Sequence, residues 1–286
     1  MPRSAGTLMR RRGAAALATA LVTALALAAC KGGTPDDIGN QSHNAAATRF
    51  VEKMVGTPPA TPPAKPFKIA EKTDFLEFSY AYPAQAAAIP FLVEKFDKAM
   101  TAGKADALKM AQEDSKAAKR SGFPFHAHSL ETQWNVSADT PRFLALQSQT
   151  YVFTGGAHGM TGYDVVLWDK RRSRETSMKA VMTSPAAFNA AIRDRFCAVL
   201  DRQRAEKRGA PVVRGDDEFT QCIDPMEQVL TLTSKDGKHI DGITVIVGPY
   251  SAGPYAEGTY EVPLPVDAAM RNAIKTEYQD AFVAVK

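Results

Sequence analysis

The sequence contains little cysteine and almost no excess of either charge. Three cysteines among 286 residues exclude the disulfide-dense class of small secreted proteins. Four of the 35 Lys and Arg residues lie in the first 29 residues, which contain no acid, so 31 bases face 31 acids in the rest of the chain. This balance argues against nucleic acid or another polyanion as a partner. The basic run at residues 170–174 is therefore interpreted as a solvated strand end.

The sequence also lacks the motifs by which many enzyme active sites are recognised. It has no G-x-S-x-G elbow, no P-loop, no H-E-x-x-H and no C-x-x-C. Only five histidines are present, which leaves few candidates for metal binding or nucleophilic chemistry. With 45% hydrophobic and 23% charged residues, the chain has the composition of an ordinary globular protein. These features favour a protein without catalytic activity.

The N-terminus has the pattern of an export signal. Arginines precede an apolar run of about 15 residues, Gly13 to Leu27, which is shorter than the roughly 20 residues of a membrane-spanning helix. The run ends in Leu27-Ala28-Ala29-Cys30, which resembles the lipobox of bacterial lipoprotein precursors. The resemblance implies cleavage after residue 29 and lipidation of Cys30, and Lys31 implies the outer membrane of a two-membrane host. The alternative is an ordinary signal peptide with an incidental cysteine.

The two remaining cysteines, Cys197 and Cys222, form an even pair in an exported protein. We predict a disulfide between them, which would stabilise the fold by roughly 3 kcal/mol in the chain-entropy model. The alternative is two buried thiols. Residues 30–66 are rich in Gly, Ala, Thr and Pro and poor in large apolar residues, so they are predicted to be a flexible tether between the lipid and the folded part.

The pattern from residue 67 onward predicts an α+β fold, with helices packed on antiparallel sheets in two consecutive subdomains, 67–175 and 176–286. Phe78, Tyr80 and Tyr82 alternate along the first predicted strand, which puts them on one face. In the first subdomain, the predicted elements are a strand at 74–83, a helical region at 85–120 that Gly103 can divide, and strands at 126–136, 142–153 and 162–169. In the second subdomain, they are a helix at 185–207 capped by Ser184, strands at 229–233 and 242–247 joined at Asp236-Gly237, and a helix at 267–282.

Three histidines are the best candidates for metal binding. His126 and His128 would project from one face of a strand, and His158 lies on a later glycine-rich loop with Glu131 or Asp164 available nearby. Such a set could hold zinc with one open coordination position. The alternative is that these are surface and turn histidines. No cofactor is otherwise expected.

Two loops are the best candidates for ligand binding. Residues 154–159, Thr-Gly-Gly-Ala-His-Gly, place Gly155 and Gly156 beside His158, and glycines allow positive φ and close approach of another chain. This loop lacks the lysine and the following helix of a phosphate-binding P-loop. Residues 248–258 carry Tyr250 and Tyr255 among turn residues, a composition typical of surfaces that recognise sugars or proteins. The alternative is that both tyrosines pack on their own sheet.

The same loops carry a family resemblance. Residues 151–159 followed by Tyr163-Asp164-Val165-Val166-Leu167-Trp168-Asp169 resemble the bacterial extracytoplasmic domain found at the N-terminus of PdaC-type deacetylases and in RsiV-type anti-sigma factors. Residues 247–258 leading to Val262-Pro263-Leu264-Pro265 are similar to its usual partner domain. The resemblance implies an α+β envelope domain, which binds lysozyme in the RsiV branch and lies beside a separate catalytic module in PdaC. The chain lacks the deacetylase motifs and the sigma-binding segment, so only the binding role carries over.

These observations lead to three functional hypotheses. The first is a lipid-anchored binding protein on the periplasmic side of the envelope, whose ligand is a cell-wall glycan or a lysozyme-like protein. The second is a metal-assisted hydrolase that acts on cell-wall glycan through the three histidines. The third is a structural envelope lipoprotein without a small ligand.

Overall fold

A computed structural model describes residues 63–285. The predicted signal peptide, Cys30 and most of the predicted tether lie outside these residues. Within residues 63–285, no helix is both long enough and apolar enough to span a membrane.

Residues 67–176 form a six-stranded sheet covered by one long helix. The elements are β1 (Phe67–Lys72), β2 (Leu76–Tyr82), α1 (Ala84–Ala87), α2 (Pro90–Ser121), β3 (His128–Asp139), β4 (Phe143–Phe153), β5 (Met160–Asp169) and β6 (Arg174–Thr176). The strand order follows the chain order. All neighbouring pairs are antiparallel except β2 and β3, which are parallel. The prediction of antiparallel sheets is wrong for this pair, because the connection through α2 returns the chain to the end of the sheet at which β2 begins, where Leu76 pairs with His128.

Helix α2 packs on one face of this sheet. Phe78, Tyr80 and Tyr82 of β2 are buried against Leu92 and Phe96 of α2, so the predicted aromatic face is confirmed. Helix α2 runs without a break through Gly103, where a Cβ atom would only touch the side chain of Leu130. The predicted division at this glycine is wrong, since packing on the sheet offsets the roughly 1 kcal/mol that an interior glycine costs a helix.

Residues 177–285 form three helices and a second, three-stranded sheet. The elements are α3 (Met178–Val181), α4 (Pro185–Arg208), a 3-10 helix at Pro225–Glu227, β7 (Val229–Thr233), β8 (Gly242–Val247), a 3-10 helix at Tyr255–Glu257, β9 (Tyr260–Pro265), α5 (Ala268–Asn272) and a 3-10 helix at Thr276–Ala281. The sheet order is β7-β8-β9, all antiparallel. The α+β class is thereby confirmed.

The start of α4 and the β7–β8 hairpin follow the sequence signals. The Ser184 hydroxyl accepts a hydrogen bond from the Ala187 amide, and Pro185 occupies the first helical position. Gly237 adopts a positive φ of 65° in the turn. The predicted helix at 267–282 is wrong, because α5 ends at Asn272 and the chain then pairs with the segment after α3, where the Thr183 amide donates to the Ala273 carbonyl.

The first sheet and the second part of the chain share a core. Phe143, Ala145 and Leu167 of the first sheet belong to the same buried cluster as α4 and β7–β9, and all described residues fall within one compact unit, 61–286. Cys197 of α4 is bonded to Cys222, which confirms the predicted disulfide.

The basic run at residues 170–174 is bound to the C-terminal 3-10 helix. Arg172 donates to Glu277 at 2.7 Å and to the Tyr278 hydroxyl, and Arg171 pairs with Asp280 at 2.7 Å. The interpretation as a solvated strand end holds, since residues 171–174 are exposed just after β5, and these exposed ion pairs connect the end of that strand to the end of the chain.

Candidate functional site

The glycine-rich loop (154–159) and the tyrosine-rich loop (248–258) meet in a cluster of three rings. These rings are His158, Tyr250 and Tyr255, called here the aromatic cluster. The His158 ring stacks on the Tyr255 ring with centroids 3.7 Å apart and an interplanar angle of 15°. The Tyr250 ring lies 5.7 Å from that of Tyr255. His158 is exposed, Tyr255 is half-buried, and Tyr250 is 49% exposed. Two loops about 90 residues apart thus present one aromatic surface to solvent.

The hydrogen bonds of His158 fix its tautomer when the ring is neutral. Its Nδ1 lies 3.0 Å from the Gly159 carbonyl oxygen, which can only accept, so Nδ1 carries the proton. Its Nε2 then accepts, and the Tyr250 hydroxyl lies 3.4 Å from it. The ring is therefore held by both loops.

The glycine-rich loop depends on its glycines in two ways. Gly155 and Gly156 have φ values of 93° and 88°, which residues with side chains rarely adopt. Gly159 lies against the ring of Tyr151, where an added Cβ atom would be 2.4 Å from the ring. The glycine-rich loop therefore packs closely on the ring of Tyr151 in the first sheet.

Basic side chains at the end of α4 anchor the tyrosine-rich loop. Arg208 pairs with both carboxylate oxygens of Glu257, at 2.8 and 2.9 Å. Lys207 donates to the Thr259 carbonyl at 2.8 Å, and the Tyr260 hydroxyl donates to Glu257. The Arg208 guanidinium lowers the pKa of the Glu257 carboxyl below its ordinary value, while burial, followed by the contact with Glu257, raises the pKa of Tyr260 to about 12.

The buried Arg204 fixes the middle of the same loop. Its side chain is fully buried, its Nε donates to the Ala252 carbonyl at 2.9 Å, and one terminal nitrogen donates to the Gln221 carbonyl at 2.8 Å. Burial lowers the pKa of Arg204. Just before this anchor, Tyr250 has a φ of 68°, an uncommon conformation for a bulky residue. The loop is thus held in a conformation that exposes the Tyr250 ring.

The aromatic cluster adjoins the face of the first sheet that α2 does not cover. Two cross-strand rows of β1–β5 form this surface, called here the open face. The first row is Ala70, Ser79, Glu131, Tyr151 and Thr161, and the second is Lys68, Ala81, Gln133, Gln149 and Tyr163. Tyr151 lies against Gly159, and the Tyr163 hydroxyl is 2.7 Å from the Thr259 hydroxyl at the end of the tyrosine-rich loop. The open face therefore leads into the aromatic cluster.

A shallow depression of about 220 Å³ lies between the two rows. Residues from β1 to β4 line it: Lys68, Ser79, Ala81, Glu131, Thr132, Gln133, Gln149 and Tyr151. Two of these eight are charged, with opposite signs, and the others are amide, hydroxyl or alanine side chains. Sequence reasoning missed this surface, although alternation of polar residues in β3 and β4 is visible as Glu131, Gln133, Gln149 and Tyr151.

The three histidines proposed as zinc ligands are not brought together. His126 is exposed and precedes β3, whereas His128 is buried with its Nε2 3.3 Å from an Asp114 carboxylate oxygen. His158 belongs to the aromatic cluster. Residues 63–285 contain no group of three His, Cys, Asp or Glu side chains placed to hold a metal ion. The predicted grouping is wrong, because the strand begins only at His128 and that side chain points into the packing with α2.

A larger cavity of about 370 Å³ lies between β5 and β7. Its walls include Val165, Leu167, Met182 and Leu230. None of the five predicted ligand-binding residues, Gly155, Gly156, His158, Tyr250 and Tyr255, lines it.

Part of the chain matches a known family. Residues 69–161 match the family model described as "Deacetylase PdaC". This span contains most of β1, all of β2–β4 and the glycine-rich loop, and it ends before the tyrosine-rich loop. It covers about a third of the chain, so the match identifies a PdaC-like region within it. No curated protein matches the sequence.

Two solved structures are similar to this chain. A DUF3298 family protein from Pseudomonas aeruginosa PAO1 has a TM-score of 0.50 and 17% identity, and the similarity covers 78% of this chain and 98% of that one. A DUF3298 family member from Bacteroides fragilis NCTC 9343 has a TM-score of 0.48 and 17% identity, with coverage of 75% and 94%. At this identity the Pseudomonas protein shows that the fold is of the DUF3298 type, and no more than the fold.

Proposed function

We propose that this protein is a lipid-anchored binding protein of the cell envelope, without catalytic activity, whose aromatic cluster contacts a cell-wall glycan. One observation carries the proposal. His158 and Tyr255, from loops about 90 residues apart, stack at 3.7 Å on an exposed surface that Arg208, Arg204 and Lys207 hold in place. Rigid, exposed rings bind ligands at low entropic cost.

The ionisable groups near the cluster support binding rather than catalysis. Glu257, Arg208 and Tyr260 are engaged with one another, and their pKa shifts have these contacts and burial as causes. Shifted groups of this kind stabilise a loop, whereas a general acid or base must reach a substrate. We therefore assign them to positioning of Tyr250 and Tyr255.

The test is retention on isolated cell-wall sacculi. The chain from residue 30 onward, with Cys30→Ser to prevent lipidation, should sediment with sacculi. Tyr255→Ala should weaken retention about ten-fold or more, because it removes the ring on which His158 stacks. Phe123→Ala, which removes a 72% exposed ring at the end of α2, is the matched control and should leave retention unchanged.

The other outcomes identify a different function. Binding to lysozyme in place of sacculi would make the ligand the protein that the RsiV-type resemblance implies. Absence of binding to both would leave a structural lipoprotein, to be studied through its protein partners. Retention that Tyr255→Ala and Phe123→Ala reduce equally would exclude the aromatic cluster as the site.

We also propose that lipid on Cys30 holds the protein on the periplasmic side of the envelope, at the outer membrane of a two-membrane host. The support is Leu27-Ala28-Ala29-Cys30 at the end of an apolar run, followed by Lys31. Cys30→Ser should abolish incorporation of labelled palmitate and move the protein from the membrane to the soluble fraction. Unchanged labelling in this variant would contradict the assignment.

A further inference from the structure

The two rows of the open face run across the strands toward the aromatic cluster. Each row crosses β1, β2, β3, β4 and β5 through directly paired residues. Neighbouring strands are about 4.8 Å apart, so four spacings give a track of about 19 Å. The depression follows the track from β1 to β4 and includes Tyr151, which lies against Gly159 beside the cluster. The track therefore extends well beyond the area that three rings can cover.

The side chains of the track favour an uncharged ligand with many hydroxyl or amide groups. Gln133 pairs directly with Gln149, which pairs with Tyr163. Glutamine side chains donate and accept hydrogen bonds. Gln133 donates its side-chain Nε2 to the Trp134 carbonyl at 2.9 Å, which orients the amide and leaves its oxygen as an acceptor. Lys68 and Glu131 balance each other in charge, so the depression offers a polyanion no net attraction.

We propose that the open face binds a neutral linear polysaccharide lying across the strands, with the aromatic cluster contacting one end and Gln133 and Gln149 contacting its middle. This inference rests on the proposed function and adds the length, direction and charge of the ligand. Polar groups placed beside aromatic side chains fix the orientation of a bound ligand. On the open face, polar side chains are repeated along two cross-strand rows. A polysaccharide likewise consists of repeated units.

The experiment measures affinity for soluble N-acetylglucosamine oligomers of increasing length by calorimetric titration. The protein is the chain from residue 30 onward with Cys30→Ser. Affinity should increase from the dimer to the tetramer and then level off, because the additional sugars of longer oligomers extend beyond the end of the track. The double variant Gln133→Ala/Gln149→Ala should lose this increase, about ten-fold for the tetramer, while dimer affinity stays the same. Gln112→Ala, at an exposed position on α2, should leave all affinities unchanged.

The remaining outcomes overturn the inference in distinguishable ways. Equal affinity for dimer and hexamer, or no effect of the double variant, would restrict binding to the aromatic cluster and leave the proposed function intact. Retention on sacculi without binding of any oligomer would assign recognition to the peptide part of the wall. Absence of retention on sacculi would refute the proposed function as well. A double variant whose unfolding midpoint drops is replaced by Gln133→Asn/Gln149→Asn, which shortens both amides and should weaken tetramer binding without loss of polarity.

Discussion

At the scale of single residues, Glu257 connects the tyrosine-rich loop to the end of α4. Its carboxylate accepts from Arg208 and from Tyr260, and its side chain is only 12% exposed. Gly253 lies against the same carboxylate, where an added Cβ atom would be 1.9 Å from one oxygen. The ion pair and the glycine together bring the backbone of the loop close to the end of α4.

We expect this ion pair to make loop stability depend on pH. Arg208 lowers the pKa of Glu257 in the folded state, so the contribution is complete above the ordinary glutamate pKa and is lost as pH falls through the lowered one. Glu257→Gln should reduce the free energy of unfolding at neutral pH by about 1–3 kcal/mol and remove this part of the acid dependence. Urea unfolding at neutral and acid pH measures both effects.

A matched control for this prediction is available on β9. Glu261→Gln changes an exposed glutamate nearby and should leave the pH dependence of unfolding as it is. The free energy of unfolding can fall equally between neutral and acid pH in Glu257→Gln and in the wild type. In that case the ion pair does not contribute to the acid dependence of stability.

At the scale of elements, the disulfide joins α4 to the loop before β7. Cys197 and Cys222 are 25 residues apart in sequence. Arg193 donates to the Cys222 carbonyl at 3.0 Å, and Arg204 donates to the neighbouring Gln221 carbonyl. The loop is thus attached to α4 by the disulfide and by two arginines, one of which also holds the tyrosine-rich loop.

Removing the disulfide should cost stability without loss of the fold. The double variant Cys197→Ala/Cys222→Ala should unfold with about 3 kcal/mol less free energy, because a loop of this length gains entropy in the unfolded chain. Guanidinium unfolding of wild type with and without reductant, beside the variant, measures the change. Wild type that is equally stable with and without reductant would contradict the prediction.

The elements with local signals could be predicted from the sequence, and those set by distant contacts could not. Ser184-Pro185 identifies the start of α4 because capping is local. Strand β9 was missed because it contains Pro263 and Pro265, which are acceptable only because β9 is an edge strand. The predicted helix at 267–282 fails for a similar reason, since pairing of residues 273 and 274 with the segment after α3 overrides the helical pattern.

The candidate site divides in the same way. Glycine and tyrosine composition identified both loops, yet only the fold brings His158 onto Tyr255. The open face requires the register of five strands, which alternation within one strand does not determine. Spacing alone did not show that the three histidines lie apart, because burial of His128 beside Asp114 separates it from His158.

At the scale of the whole molecule, a buried ion pair lies where the first sheet meets the C-terminal segment. Arg142 donates to Asp169 at 3.0 Å, and their side chains are 8% and 0% exposed. The Arg142 guanidinium also lies 4.7 Å from the centre of the Tyr278 ring. Phe143, next in the chain, packs in the core cluster that contains Tyr278 and Phe282. The predicted boundary between residues 175 and 176 therefore crosses a shared core.

We expect the two sheets to unfold together and Arg142 to be essential to their joint stability. Arg142→Ala leaves the buried Asp169 with only Arg172, whose amide donates at 3.3 Å and whose guanidinium lies 3.9 Å away, and should cost about 3 kcal/mol. Arg171→Ala removes an exposed pair with Asp280 and should cost about 1 kcal/mol or less. Tryptophan fluorescence reports on the first sheet, which contains Trp134 and Trp168, and hydrogen exchange reports on β7–β9. The two probes should report the same unfolding transition, and Arg142→Ala should lower the free energy of unfolding measured by both. Separate transitions would mean that residues 67–175 and 176–286 are independent domains.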